Sequence, residues 1–179
     1  MPVQQTWSAS VWAVENTTPA KYENVKVWAA DTWHPTVDGK IRNLEIISIN
    51  YNTFRESWPL ALTKNKQITE LPYIGKEYSV SFEVFINKMP TQPYQGVLHF
   101  TTGENYAAMG SRNPAVWVTA SKEFHIASAV SGNKNLVKNF PGLEENKWYK
   151  IEINQKLVDA KVINLNLEFR LIKHILVHV

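Results

Sequence analysis

Residues 77–86 read EYSVSFEVFI, and this stretch decides the fold class. Tyr78, Val80, Phe82, Val84 and Ile86 fall on one side of a two-residue period, and Ser79, Ser81 and Glu83 on the other, with Phe85 as the exception. Such alternation describes a strand with one buried and one wet face. Moving outward, GVLHFTT at 96–102, AVWVTA at 115–120, FHIASAV at 124–130 and KWYKIEIN at 147–154 repeat the theme. Turn-forming residues separate them: MPTQP at 89–93, GEN at 103–105, GSRNP at 110–114, GNKN at 132–135 and Pro141-Gly142.

The N-terminal third follows the same grammar. Candidate strands lie at 7–14, 25–29 and 40–47, the last announced by the turn signal Asp38-Gly39. Residues 48–64 have no clear period and read as a linker or long loop. NKQITEL at 65–71 reads as a short edge strand closed by Pro72. In the tail, 163–179, INLNLEF alternates like a strand, whereas RLIKHILVHV is apolar too densely for either a strand or a helix template. Many short strands without a convincing long helix predict an all-β, antiparallel two-sheet jelly-roll sandwich.

At 179 residues the chain suits one domain and buries a core without covalent staples. With 19 basic and 16 acidic residues the charge is mixed, and no basic run is available to grip phosphates, which argues against nucleic acid. There is no cysteine, so thiols say nothing about compartment. The opening MPVQQTWSASVWAVEN has neither the basic nor the apolar region of a signal peptide. No apolar run approaches the roughly 20 residues that span a bilayer. A glycosylation sequon, Asn16-Thr17-Thr18, precedes Pro19.

Several motifs then occur in a specific order. His99-Phe100-Thr101 ends one strand, and Gly110, Arg112, Pro114 and Trp117 form a turn and the next strand. Val130, Gly132, Asn133 and Asn135 form a turn, and Lys147-Trp148 opens a strand that ends at Gln155. This order, covering about half the chain from 75 to 162, resembles the concanavalin A-like (laminin G-like) jelly-roll repeats of animal extracellular proteins. The likeness is to uncharacterised multi-repeat forms in cnidarians and other marine invertebrates. It implies an extracellular setting and a recognition or adhesion role, with a glycan or matrix protein as partner.

Residues 14–46, VENTTPAKYENVKVWAADTWHPTVDGKIRNLEI, resemble the closing strands of the same repeat, yet here they come first. The expected organisation is therefore the tail of one repeat at 1–47, a linker at 48–64, the head of a second repeat at 65–162, and an atypical, truncated or mis-joined tail at 163–179. The N-terminal strands are expected to fold back onto the 75–162 block and complete one sandwich in permuted order.

Candidate chemistry is sparse. Jelly-roll glycoside hydrolases need two carboxylates on one face of a cleft, whereas Glu83 and Glu152 are lone acids and Glu144-Glu145 sits in a turn. No G-x-S-x-G elbow or phosphate loop occurs. His99 and His125 lie in strands that could face each other, but no third ligand stands nearby, so no metal site is expected. Calcium, which laminin G-like domains often hold at a loop rim, is the open alternative among cofactors. It would use Asp31 and Asp38, which share a loop without a dense oxygen cage. Asp31, Trp33 and Asp38 are otherwise expected to shape that loop.

The expected binding surface joins polar loops to aromatics, because a sugar offers an apolar ring face and oriented hydroxyls. Asn105, Tyr106, Arg112, Asn113, Asn133 and Asn135 are the candidates. The competing reading is that the asparagines serve turn geometry and Arg112 ties a loop to carbonyls. Trp28, Trp117 and Trp148 are expected in the core. A non-catalytic recognition module follows, with a purely architectural repeat as the alternative and a glycoside hydrolase-like jelly roll as the lesser one.

Overall fold

The computed structural model describes residues 5–14, 21–48, 53–106, 108–130, 133–159 and 162–171, and side chains within 21–156. Its strands, in chain order, are β1 Gln5–Val14, β2 Lys21–Ala29, β3 Asp38–Ser48, β4 Thr53–Glu56, β5 Leu60–Ala61 and β6 Lys66–Gly75. Then follow β7 Tyr78–Lys88, β8 Tyr94–Thr101, β9 Ala115–Thr119, β10 Glu123–Val130, β11 Asn133–Pro141, β12 Lys147–Asp159 and β13 Val162–Leu171. They form two packed antiparallel sheets. The seven-stranded sheet has the order β1-β13-β12-β7-β3-β4, with β5 also on β3, and the six-stranded sheet has the order β11-β10-β9-β8-β2-β6.

The alternation read from 77–86 is realised in β7, where buried and half-buried residues alternate from Tyr78 to Ile86. Val80, Phe82, Val84 and Ile86 meet Ile151 and Ile153 of β12 and Ile41 and Ile46 of β3 in the core. Val27, Leu98, Phe100, Val116, Val118, Phe124 and Ile126 enter that core from the six-stranded sheet. Phe82, Phe100 and Phe124 are almost wholly buried, each worth about 1.5–3 kcal/mol by removal from water. Phe85 breaks the alternation without loss, since its ring lies 5.4 Å from that of Trp148 on the other face.

The N-terminal strands complete both sheets, as expected. β2 lies between β8 and β6, with Val27 opposite Phe100 and Thr69. β3 lies between β7 and the short β4 and β5, with Ile46 opposite Val80 and Phe54. Each strand sends buried residues into the core, Tyr22, Val25, Val27 and Ala29 from β2 and Ile41, Leu44 and Ile46 from β3, with one three-residue step breaking the two-residue period in each. Asn43, at φ 53°, sits inside the register shift between Arg42 and Glu45, the kind of bulge at which asparagine tolerates a left-handed backbone.

Several local expectations need correction. The stretch 48–64 is more than a linker: β4 and β5 both pair with β3. Too short to show a period, they were invisible to pattern reading. β6 does not stop at Pro72 but runs to Gly75. At a sheet edge the missing N–H of proline costs no ladder bond, and Pro72 is exposed there. The turn residues at 132–135 and 141–142 bound a further strand, β11, which lies at the sheet edge and pairs β10. In the tail, β13 carries the strand to Leu171, while 172–179, Gly132 and the sequon at 16–18 lie outside the described residues.

Candidate functional site

The site lies on the outer face of the six-stranded sheet. Alternation sends Leu98, Phe100, Val116, Val118, Phe124 and Ile126 inward, so His99, Trp117 and His125 point outward. That face is not bare: every residue of β9 is buried. Residues 30–37, which join β2 to β3, form its cover. Ala30 donates its N–H to the Val97 carbonyl at 2.7 Å, Gly96 to Pro35 at 2.8 Å, and Val37 to Gly96 at 3.2 Å. Gly96 lets the loop approach closely, since a Cβ would stand 3.2 Å from the Ala30 backbone and the Asp31 nitrogen, tighter than an ordinary contact.

Asp31 fastens this loop. Its side chain is fully buried. Oδ1 accepts the backbone N–H of Trp33 at 2.8 Å and of His34 at 2.6 Å, a local turn device open to aspartate. Oδ2 accepts His34 Nδ1–H at 2.9 Å and Trp117 Nε1–H at 3.2 Å, with His99 Nδ1 at 3.5 Å. Trp117 Nε1 is also 3.2 Å from His34 Nδ1, but a protonated Nδ1 cannot accept, so the indole proton belongs to Asp31. The other face of His99 is fixed by donation from Nε2 to the Ser111 carbonyl at 2.7 Å. Burial alone would raise the Asp31 pKa; the hydrogen bonds it accepts from the His34 side chain and backbone outweigh it and hold the carboxyl well below the usual carboxylate range.

Beside this anchor opens a groove of about 310 Å³, lined by His34, Tyr94, Arg112, Trp117, His125 and Asn135 along with Val137. A second hollow of about 360 Å³ shares Tyr94 and His125 and continues past Thr119, Ser121, Glu123 and Asn139. The rings form a connected set: Tyr94 lies 5.1 Å from His125, and Trp117 lies 5.7 Å from both His34 and His125. Tyr94 is 42% exposed and so offers its ring to a ligand. His125 Nδ1 pairs with Asn139 Oδ1 at 2.7 Å, which leaves Nε2 as an acceptor. Burial pushes the His125 pKa down, against the Asn139 bond and with help from the Arg112 charge, so the ring is neutral at neutral pH.

Three of the expected binding residues come together. Arg112 Nε donates to Asn105 Oδ1 at 3.0 Å, and Arg112 Nη1 donates to Asn135 Oδ1 at 3.0 Å. The guanidinium carbon stands 5.2 Å from the Trp117 ring centroid. The other three lie apart. Asn113 is buried, and its Oδ1 accepts the Ala129 N–H at 3.0 Å, so it tethers backbone and is closed to a ligand. Asn133 is exposed and caps a turn by accepting the Asn135 N–H at 3.0 Å. Tyr106 is exposed outside the groove, where a hydrogen bond with Glu104 and that residue's charge raise its pKa.

His34, Tyr94, Trp117 and His125 were missed as site residues. Of the three strand tryptophans expected in the core, Trp117 is buried, in a small cluster with Ala115 and Ala127 on the outer face of the sheet, whereas Trp28 and Trp148 are only half-buried. Trp117 walls the groove. Trp148 lies on the outer face of the other sheet under Arg42, 3.9 Å away. Trp28 is half-buried, with an indole nitrogen that has no partner among the described residues. Asp31 and Asp38 do not converge: Asp38 is exposed and accepts from Asn87 at 3.1 Å. The Asp31 oxygens are taken up by N–H donors, an environment unlike the oxygen cage calcium requires. Among the described residues no three His, Cys, Asp or Glu converge as a metal site. Comparison with protein-family models, with curated proteins and with solved structures gave no match.

Proposed function

We propose that this chain is a non-catalytic recognition module whose groove on the six-stranded sheet receives a saccharide. The observation that carries the reading is the placement of Arg112, Asn105 and Asn135 in one hydrogen-bonded array beside the exposed ring of Tyr94. A sugar needs that combination, a flat apolar surface for its ring and fixed donors and acceptors for its hydroxyls. At about 310 Å³ the groove falls at the lower end of small-molecule sites. No carboxylate lines the groove among the described residues, and the Asp31 oxygens behind it are already bonded. The resemblance to laminin G-like repeats supports an extracellular adhesion role, in which the site holds a glycan.

A glycan array followed by calorimetry tests this. The folded protein is expected to bind a defined oligosaccharide set, and Tyr94→Ala and Asn135→Ala to weaken binding about tenfold or more with circular dichroism unchanged. Failure of the folded protein to bind any saccharide would leave the architectural-repeat reading in its place.

A further inference from the structure

Side chains are described for Arg42, Arg55 and Arg112, and their environments differ. Arg42 Nε pairs with Glu83 at 2.6 Å, and Arg55 pairs with Glu45. Arg112 has no ion-pair partner among the described residues, although it is half-buried at the wall of the groove. Its two side-chain hydrogen-bond partners, Asn105 and Asn135, offer neutral amide oxygens, which orient the guanidinium and leave its charge without an ion pair. They occupy two of the five N–H donors, so three remain. Burial pushes the Arg112 pKa down, and the charge of the buried Asp31 works against that shift. The two Asp31 oxygens, however, are consumed by Trp33, His34 and Trp117, and the Trp117 ring lies beside the guanidinium.

We propose that the Arg112 end of the groove receives the carboxylate of an acidic sugar, with the adjoining sugar unit in the second hollow; this rests on the saccharide reading above. A planar guanidinium fork held by two amides matches a planar two-oxygen anion. The second hollow has the opposite character. Glu123, Thr119, Ser121 and Asn139 line it, so it repels an anion and suits the hydroxyls of a neutral ring. Tyr94 and His125 stand between the two hollows. The ligand is thus a saccharide bearing its charge on one unit, oriented along the groove by the separation of Arg112 from Glu123.

Calorimetry with the intact protein tests this using short hexuronic acid oligomers, the same oligomers after reduction of their carboxyl groups, and sulfated neutral oligomers. The acidic oligomers are expected to bind about tenfold or more tightly than the reduced ones. Added salt should erode that preference while leaving the reduced oligomers unaffected. Arg112→Gln should abolish the preference, and Arg112→Lys, which keeps charge but loses the fork, should retain only part of it. Equal binding of acidic and reduced oligomers overturns the acidic assignment and leaves the saccharide site standing. Stronger binding of the sulfated series than of the uronic series assigns the anion to sulfate and overturns the carboxylate. Absence of binding to every oligomer overturns both readings.

Discussion

Asp31 and Trp117 are 86 positions apart in the chain, yet the indole N–H of Trp117 donates to Asp31 Oδ2 at 3.2 Å. One carboxylate thereby binds the β2–β3 loop to the outer face of β9, and the groove wall depends on that contact.

Asp31→Asn should cost about 2–4 kcal/mol at neutral pH, because an amide in that place offers one acceptor where the carboxylate offers two. The sign of the pH dependence follows from the depressed folded pKa. The carboxylate's contribution is complete above the unfolded pKa of about 4 and is lost as pH falls below it toward the folded value. Urea unfolding followed down to about pH 2 should show the wild type and the variant converging; parallel curves would remove Asp31 as an ionised anchor.

Alkali should act through the tyrosines. Burial pushes the Tyr22 phenol up to about 12, and burial likewise raises Tyr78 against its bond with Ser128. An unfolded tyrosine ionises near 10, so the folded state holds protons that the unfolded chain releases. Stability therefore declines as pH rises from about 10 to 12. The decline should be shallower in Tyr22→Phe, measured as the urea midpoint against pH.

Gly39 stands at a register shift in β3 where a Cβ would lie 2.0 Å from the Phe85 carbonyl oxygen. Gly39→Ala should destabilise the protein by about 2–3 kcal/mol, since backbone atoms of β7 must move. A denaturation curve superposing on the wild type would contradict this account of the β3–β7 contact.

Asn113 and Asn133 separate two roles that look alike in the sequence. Asn113→Ala should lose about 1 kcal/mol, because the buried Ala129 N–H keeps only its longer bond to the Arg112 carbonyl at 3.2 Å. Asn133→Ala removes an exposed turn bond and should change stability by under about 0.5 kcal/mol. Thermal melts of the two variants decide it.

The sandwich was legible because its inward residues keep a two-residue period: β7 announces itself, and β3 and β12 follow. Strands of four residues or fewer, such as β4 and β5, are too short to carry a period. The site was legible only in part. Arg112, Asn105 and Asn135, which meet in one hydrogen-bonded array, come from loops that their polar residues mark out in the sequence. Trp117 and His125 were missed because an outward aromatic and an inward one look the same until the partner face is known. A signal did exist. AVWVT in β9 and ASAV in β10 are buried at every position, and a strand without a wet face must be covered on both sides. Asp31, the only buried acid among the described residues, lies in the loop that supplies the cover.

That loop has a second consequence. It is the only described connection between β2 in one sheet and β3 in the other, and it carries His34 into the groove. Whatever settles against His34 therefore braces the link between the layers, and occupancy at the surface is felt by the whole sandwich. By mass action a ligand present at 100 times its Kd adds about 2.7 kcal/mol to the unfolding free energy, so the melting temperature itself reports what the groove holds.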